Sequence, residues 1–192
     1  MKKGYEIKKG IFRGKMLQNL RDVYKKQYNV VYSRFNSIKS TIYIDGNEVT
    51  LLARGRYDFE ISNIKVPKVL ENYAKKRLGK EYIKYAGGLP SFPHSKPNEW
   101  HQDTYSLFGN EKLENKLPDF YITFLIPLQD MTPEKGLTEI RVGKKIVRPI
   151  LKAGDVLILH QKTWHRGAKN ISKERRDLLY IVFCKKWYND YV

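Results

Sequence analysis

Four histidines occur in the 192 residues, and two of them stand where a carboxylate can join them. In Trp100-His101-Gln102-Asp103 an imidazole and a carboxylate two residues apart project from the same face of an extended chain. Sixty-two residues beyond Asp103, Thr163-Trp164-His165-Arg166-Gly167 follows a turn and a buried-strand pattern, Ala153-Gly154-Asp155-Val156-Leu157-Ile158-Leu159-His160, which puts His165 just past the strand's exit. Two imidazoles and one carboxylate on one face of a transition metal hold Fe(II) at neutral pH and leave positions open for dioxygen and a cosubstrate. His160 ends the same strand and competes with His165 for the third position. His94, in Pro93-His94-Ser95, reads as a loop histidine, and His101 with Asp103 also reads, taken alone, as an exposed polar pair.

A third feature, Asn170, Ser172, Arg175 and Arg176, leads into the last apolar run. A guanidinium about one strand-length from a metal suits the far carboxylate of a dicarboxylate chelated at its other end. Two arginines opening an apolar strand need a partner for whichever turns inward.

The elements that must position these groups divide near residue 80. Met16, Leu17, Leu20, Val23 and Tyr24 recur at helical spacing, so 15–28 reads as an amphipathic helix. Thr41 to Leu52 around Asp45-Gly46-Asn47 reads as a hairpin, and Pro67 to Gly79 as a second helix. Beyond it come short apolar or alternating runs: Glu99–Asp103, Phe120–Leu128, Leu137–Val142, Ile146–Leu151, Asp155–His160 and Asp177–Cys184. Strands at that spacing suggest a β-sandwich or barrel of jelly-roll type, so the chain reads as α+β, mainly β, with N-terminal helices packed on the β-core. We expect one domain over 1–192, with a helical and hairpin part over 1–80 and a jelly-roll core carrying the chemistry over 81–192.

Charge alone suggests something else. Lys+Arg number 37 against 20 Asp+Glu, a net +17, and residues 1–80 carry +12 of it. That is a footprint for a polyanion, nucleic acid included. Yet Lys outnumbers Arg 26 to 11, whereas phosphate-reading surfaces favour the arginine fork, so a solvated surface is the simpler account. A 41% hydrophobic content excludes a disordered polycation. A lone Cys184 within an apolar run fits a reducing compartment, and the basic N-terminus lacks a signal peptide's apolar core, so a soluble, cytoplasmic protein is expected.

From Trp100 to Tyr188 the ordered motifs resemble the phytanoyl-CoA dioxygenase family of Fe(II)- and 2-oxoglutarate-dependent oxygenases. They are Trp100-His101-Gln102-Asp103, Ile126-Pro127-Leu128-Gln129-Asp130 with Thr132-Pro133-Glu134-Lys135-Gly136, Gly154-Asp155-Val156-Leu157-Ile158, His165-Arg166-Gly167 with Asn170, Ser172 and Arg176, and Lys186-Trp187-Tyr188-Asn189-Asp190. The resemblance implies that the β-core is a double-stranded β-helix, the cupin-like jelly roll, that His101, Asp103 and His165 are iron ligands and that Arg176, eleven residues after His165, binds 2-oxoglutarate. Arg175 would face the other way. Gln102, Tyr121 and Thr123 are further candidates for cosubstrate or substrate contacts. The implied reaction uses Fe(II), 2-oxoglutarate and dioxygen to hydroxylate a C–H bond of a small molecule, with succinate and CO2 released. A third protein ligand in Asp103 argues against halogenation. The chain departs from the family at Val142-Gly143-Lys144-Lys145, where a Pro-Gly-Ser-His turn is common. Two alternatives stand beside this reading: a nucleic-acid-directed oxygenase using the basic N-terminal half, and a non-catalytic polyanion-binding module. Repair demethylases carry a second arginine six residues after the cosubstrate arginine, and here that position is Val182.

Overall fold

The computed structural model describes residues 4–37, 41–44, 47–50, 56, 58–114 and 116–188. Its centre is β6 (Tyr121–Pro127), in which all seven residues are buried. Such a strand reads as a continuous apolar run because both faces are covered. It lies between β9 (Val156–His160) and β11 (Arg176–Lys185) in a six-stranded antiparallel sheet of order β1-β9-β6-β11-β5-β4, where β1 is Tyr5–Lys8, β4 is Phe59–Glu60 and β5 is Tyr82–Ser91. A smaller sheet, β10-β7-β8, is formed by β7 (Thr138–Val142), β8 (Lys145–Val147) and β10 (His165–Gly167).

Strand alternation sorts the large sheet's side chains onto two faces. Ile122, Phe124, Ile126, Val156, Ile158, Leu179, Ile181 and Phe183 pack in one cluster with Leu20, Tyr24 and Tyr28 of α1 (Gly14–Ser37) and with Leu70, Ala74 and Leu78 of α2 (Lys68–Leu78). On the opposite face Leu125, Leu157, Leu159 and Leu178 pack against Met131, Leu137, Ile140 and Leu151, which close the space toward the smaller sheet. The result is helices, large sheet, small sheet: the mainly β jelly roll with N-terminal helices that the sequence predicts.

Both helices obey their spacing. Leu20, Tyr24 and Tyr28 follow one another every four residues, as do Leu70, Ala74 and Leu78, each a single buried stripe. Pro67 precedes α2 and Gly79 ends it, its N–H bonded to the Lys75 carbonyl at 2.9 Å. α1 runs nine residues past the predicted end, to Ser37, with Val31 and Tyr32 continuing its stripe. The hairpin strands, β2 (Thr41–Ile44) and β3 (Asn47–Thr50), pair with Thr41 opposite Thr50 and Ile44 opposite Asn47; the Asp45-Gly46 turn lies outside the described residues.

Three differences from the sequence reading bear on the site. Residues 99–103 form no strand but a single bridge, His101 to His165, followed by a bend. The Ile146–Leu151 run contributes only the end of β8. The boundary at residue 80 is crossed as well, because β1 and β4 complete the large sheet's two edges, shielding strands that would otherwise present open ladders. Among the described residues no helix is long and apolar enough to cross a membrane.

Phe124 is fully buried, its ring edge-on to Phe183 and Tyr73 at 5.6 and 6.0 Å between centroids. Phe124→Ala is expected to cost about 3–5 kcal/mol in urea or guanidinium unfolding, the range for deleting a buried aromatic ring; a loss below about 1 kcal/mol would show that this helix-to-sheet core is not rigid.

Candidate active site

His101 and His165 face each other across the bridge and exchange both backbone hydrogen bonds: His101 N–H to the His165 carbonyl at 3.1 Å, and His165 N–H to the His101 carbonyl at 2.9 Å. Their rings come to 4.4 Å between centroids. Each ring is turned by a second tether. His101 Nδ1 lies 2.8 Å from the Glu99 carbonyl and His165 Nδ1 lies 2.9 Å from the Thr163 carbonyl, in both cases two residues back. A carbonyl can only accept, so each Nδ1 carries the proton and each Nε2 keeps its lone pair free, the tautomer a metal-binding imidazole needs.

Asp103 completes the group. The bend after the bridge turns it inward, where Thr123 Oγ1 of β6 donates to Oδ2 at 2.5 Å while Oδ1 stands 3.4 Å from His165 Nε2. One carboxylate oxygen is thus clipped and the other presented. Ligand atoms from His101, Asp103 and His165 all lie within 4.8 Å of one another, so small side-chain movements bring all three onto one ion bonded at ~2.1 Å to each. His165 is 6% exposed. Burial lowers its proton affinity, Asp103 opposes that shift and His101 adds to it, so the imidazole stays in its neutral, ligating form. Donor types, tautomers and spacing all fit a divalent first-row metal.

The remaining candidates divide. Arg176 turns inward at the start of β11 and is 3% exposed, with Nη1 donating to the Gly136 carbonyl. Arg175 faces the helices, where Asp177 holds it with bonds of 2.6 and 2.8 Å and Tyr28 lies under it at 3.8 Å. Asn170 and Ser172 do not meet a ligand site. Asn170 Nδ2 donates to the Ser91 and Glu174 carbonyls, each at 2.9 Å, and its Oδ1 accepts from Ser172, which pins the turn that delivers Arg176. Gln102 turns away, donating to the Lys162 carbonyl at 2.8 Å. Tyr121 shares the face of Thr123, and its hydroxyl pairs with that of Tyr85 at 2.5 Å. His160 projects from the helix-side face of β9, its Nε2 3.3 Å from the Tyr73 hydroxyl and its Nδ1 3.6 Å from Asp119, and takes no part in the cluster.

Arg56 is the residue that sequence reasoning missed. It bridges Ser91 at the end of β5, and its guanidinium lies with that of Arg176 beside Gly167. An open cleft of about 440 Å³ lies elsewhere, against α1, but Arg175 and Lys135 in its wall are already paired with Asp177 and Glu174.

The outer side of β10 is braced by charge. Buried Glu139 accepts from Arg166 Nε at 2.7 Å and Arg148 Nε at 2.6 Å. Trp100 lies against the Arg141 and Arg166 guanidiniums, 4.2 and 4.7 Å from its ring centre. Burial would raise the Glu139 carboxyl; the two arginine hydrogen bonds outweigh it and hold the group below its ordinary range.

No protein-family model matches the chain, and no curated protein matches it. Solved structures do. EvdMO1 superposes with a TM-score of 0.67 at 17% identity, matching 96% of this chain, which spans about half (48%) of the EvdMO1 chain. HygX from Streptomyces hygroscopicus, solved with nickel, 2-oxoglutarate and hygromycin B bound, matches all of this chain and 86% of its own at 12% identity, TM-score 0.69. SnoK, a non-heme alpha-ketoglutarate-dependent carbocyclase from nogalamycin biosynthesis, matches 96% of this chain and 80% of its own at 14% identity, TM-score 0.65. At these identities the likeness is one of fold.

Thr123→Val keeps the shape but releases Asp103, so Fe(II) or Co(II) affinity is expected to fall about 10–100-fold in a metal titration, the usual cost of losing a ligand's supporting hydrogen bond; unchanged affinity would remove Thr123 from that role. Because the folded Glu139 pKa is depressed, its stabilisation is present above the unfolded carboxyl value and lost as pH falls through the folded one. Glu139→Gln should therefore flatten the acid limb of the stability profile, and an acid limb identical to wild type would contradict it.

Proposed function

We propose that the protein is an Fe(II)- and 2-oxoglutarate-dependent dioxygenase of the kind its resemblance to the phytanoyl-CoA dioxygenase family implies. It would hydroxylate a C–H bond of a small molecule, with release of succinate and CO2. One observation carries this reading. His165 and Gly167 sit one two-residue step apart on the same face of β10, ~7 Å along the strand; His101 and Asp103 gather at the first and the buried Arg176 guanidinium lies against the second. That is the reach of a short dicarboxylate chelated at one end and ion-paired at the other.

His101, Asp103 and His165 would hold the ion, which when bound supplies activation of dioxygen coupled to oxidative decarboxylation of the cosubstrate. The chain's own groups do the positioning. Thr123 fixes the Asp103 carboxylate, the two backbone carbonyls keep the imidazoles' lone pairs aimed, and Arg176 orients the far carboxylate through its planar fork. Leu125, Leu159 and Leu178 on the same face of the large sheet keep water from the interior between the sheets.

The metal and 2-oxoglutarate bound to HygX, and the alpha-ketoglutarate dependence of SnoK, support the cofactor assignment; the carbocyclisation done by SnoK marks hydroxylation as one of several outcomes such a site can reach. An anionic small molecule suits the net charge of +17. Val182 is 3% exposed in an apolar cluster with Phe120 and Tyr188, which counts against membership of the repair demethylases, where a second arginine takes that position.

With Fe(II), 2-oxoglutarate and air, the protein is expected to release succinate even without its primary substrate, and His101→Ala to lose both metal binding and turnover. Wild-type protein that binds no iron and yields no succinate, indistinguishable from His101→Ala, would sink the proposal.

A further inference from the structure

Among the described residues, four buried side-chain nitrogens have no hydrogen-bond partner: Arg56 Nη1, His160 Nδ1, Lys162 Nζ and Arg176 Nε. His160 and Lys162 each have a carboxylate at 3.6 Å, from Asp119 and Glu114. The two guanidiniums have none, and no ion pair of either arginine occurs among the described residues. Their neighbour Arg175, by contrast, has a bidentate aspartate.

Each guanidinium is nevertheless held in place. Arg56 donates from Nε to the Lys96 carbonyl at 2.7 Å and from Nη2 to the Ala168 carbonyl, and Arg176 donates to the Gly136 carbonyl. These tethers fix both planes and leave one buried nitrogen of each, Arg56 Nη1 and Arg176 Nε, unanswered. The two converge on Gly167: a Cβ there would collide with Arg56 Nη1 and stand 3.2 Å from Arg176 Nη2. Burial lowers the pKa of Arg56 to about 10 and that of Arg176, with Arg56 adding to the effect, to about 9. Like charges on a buried and a half-buried guanidinium, each with an unanswered donor, are costly unless an anion joins them.

We propose that Arg56 and Arg176 form a paired-guanidinium cradle around Gly167 that binds the distal carboxylate of a dicarboxylate, with Arg56 a second binding residue for the cosubstrate. The identity of that ligand rests on the oxygenase reading above; the demand for an anion does not. A segment preceding the jelly-roll core thereby contributes directly to the pocket.

The test uses metal-free full-length protein and calorimetric titration with 2-oxoglutarate, succinate and 2-oxobutyrate, which lacks the distal carboxylate. Wild type is expected to bind the first two and not the third. Arg56→Gln should weaken both dicarboxylates by about 10–100-fold, the loss typical of one charge-assisted hydrogen bond, and Arg56→Lys should recover part of it. Gly167→Ala keeps both arginines but fills the space between them, so it should weaken dicarboxylates similarly while leaving metal affinity intact. Dicarboxylate affinity unchanged in Arg56→Gln and Gly167→Ala, or a wild type that binds 2-oxobutyrate as well as 2-oxoglutarate, overturns the cradle. Protein that binds dicarboxylates through both arginines but takes up no iron and releases no succinate keeps the cradle and removes the oxygenase reading. Succinate release with an unaltered 2-oxoglutarate KM in Arg56→Gln does the reverse.

Discussion

The reciprocal pair of backbone hydrogen bonds between His101 and His165 is the constraint on which the candidate site depends. It brings two residues 64 positions apart into one closed ring, and everything local follows from it. The imidazoles meet because opposed residues in an antiparallel pair lie on the same side. Their Nδ1 atoms reach back to the Glu99 and Thr163 carbonyls because those lie two residues upstream in the chain. Asp103 comes inward only because the chain bends as soon as the bridge is made. Losing that single bridge would scatter all three donors.

Around it the two sheets play unequal parts. The large sheet supplies rigidity: β6 is buried along its whole length, and it offers the Thr123 hydroxyl as a donor to Asp103. The small sheet supplies His165 and, two residues on, the gap at Gly167. Its outer side needs Glu139, Arg166, Arg148 and Trp100 to hold a three-residue strand in register. That short strand would otherwise be the weakest piece of the ladder.

Much of this was legible in the residues. His101, Asp103 and His165 stand out because few side chain types bind metals; strand parity puts Arg175 and Arg176 on opposite faces, and the resemblance's spacing from His165 selects Arg176. The apolar runs of β6, β9 and β11 are unmistakable. What was hidden depends on packing at a distance. β5 contains Lys84, Gly87, Gly88 and Pro90 and carries no strand signature, yet Gly88 is required there because a Cβ would come within 2.6 Å of the Tyr24 ring. Residues 99–103 look like a strand, but only one of them pairs. Arg56 has no local pattern to separate it from Arg54; its place is set by a bridge to Ser91 and by carbonyls at Lys96 and Ala168. The one available hint was Gly167, a residue without a side chain directly after a candidate ligand and its arginine.

The edge strand β1 has a consequence for how the chain comes to be made. Its partner β9 lies some 150 residues later, with Tyr5 opposite Leu159 and Lys8 opposite Val156. At about 5–20 residues per second of synthesis, Tyr5–Lys8 waits roughly eight to thirty seconds on the ribosome before its partner exists. An unpaired strand exposed for that long invites pairing with a neighbouring chain. Here it is bracketed by Lys2, Lys3, Lys8 and Lys9, so part of the positive charge that first suggests a polyanion partner also serves as a guard against aggregation during translation.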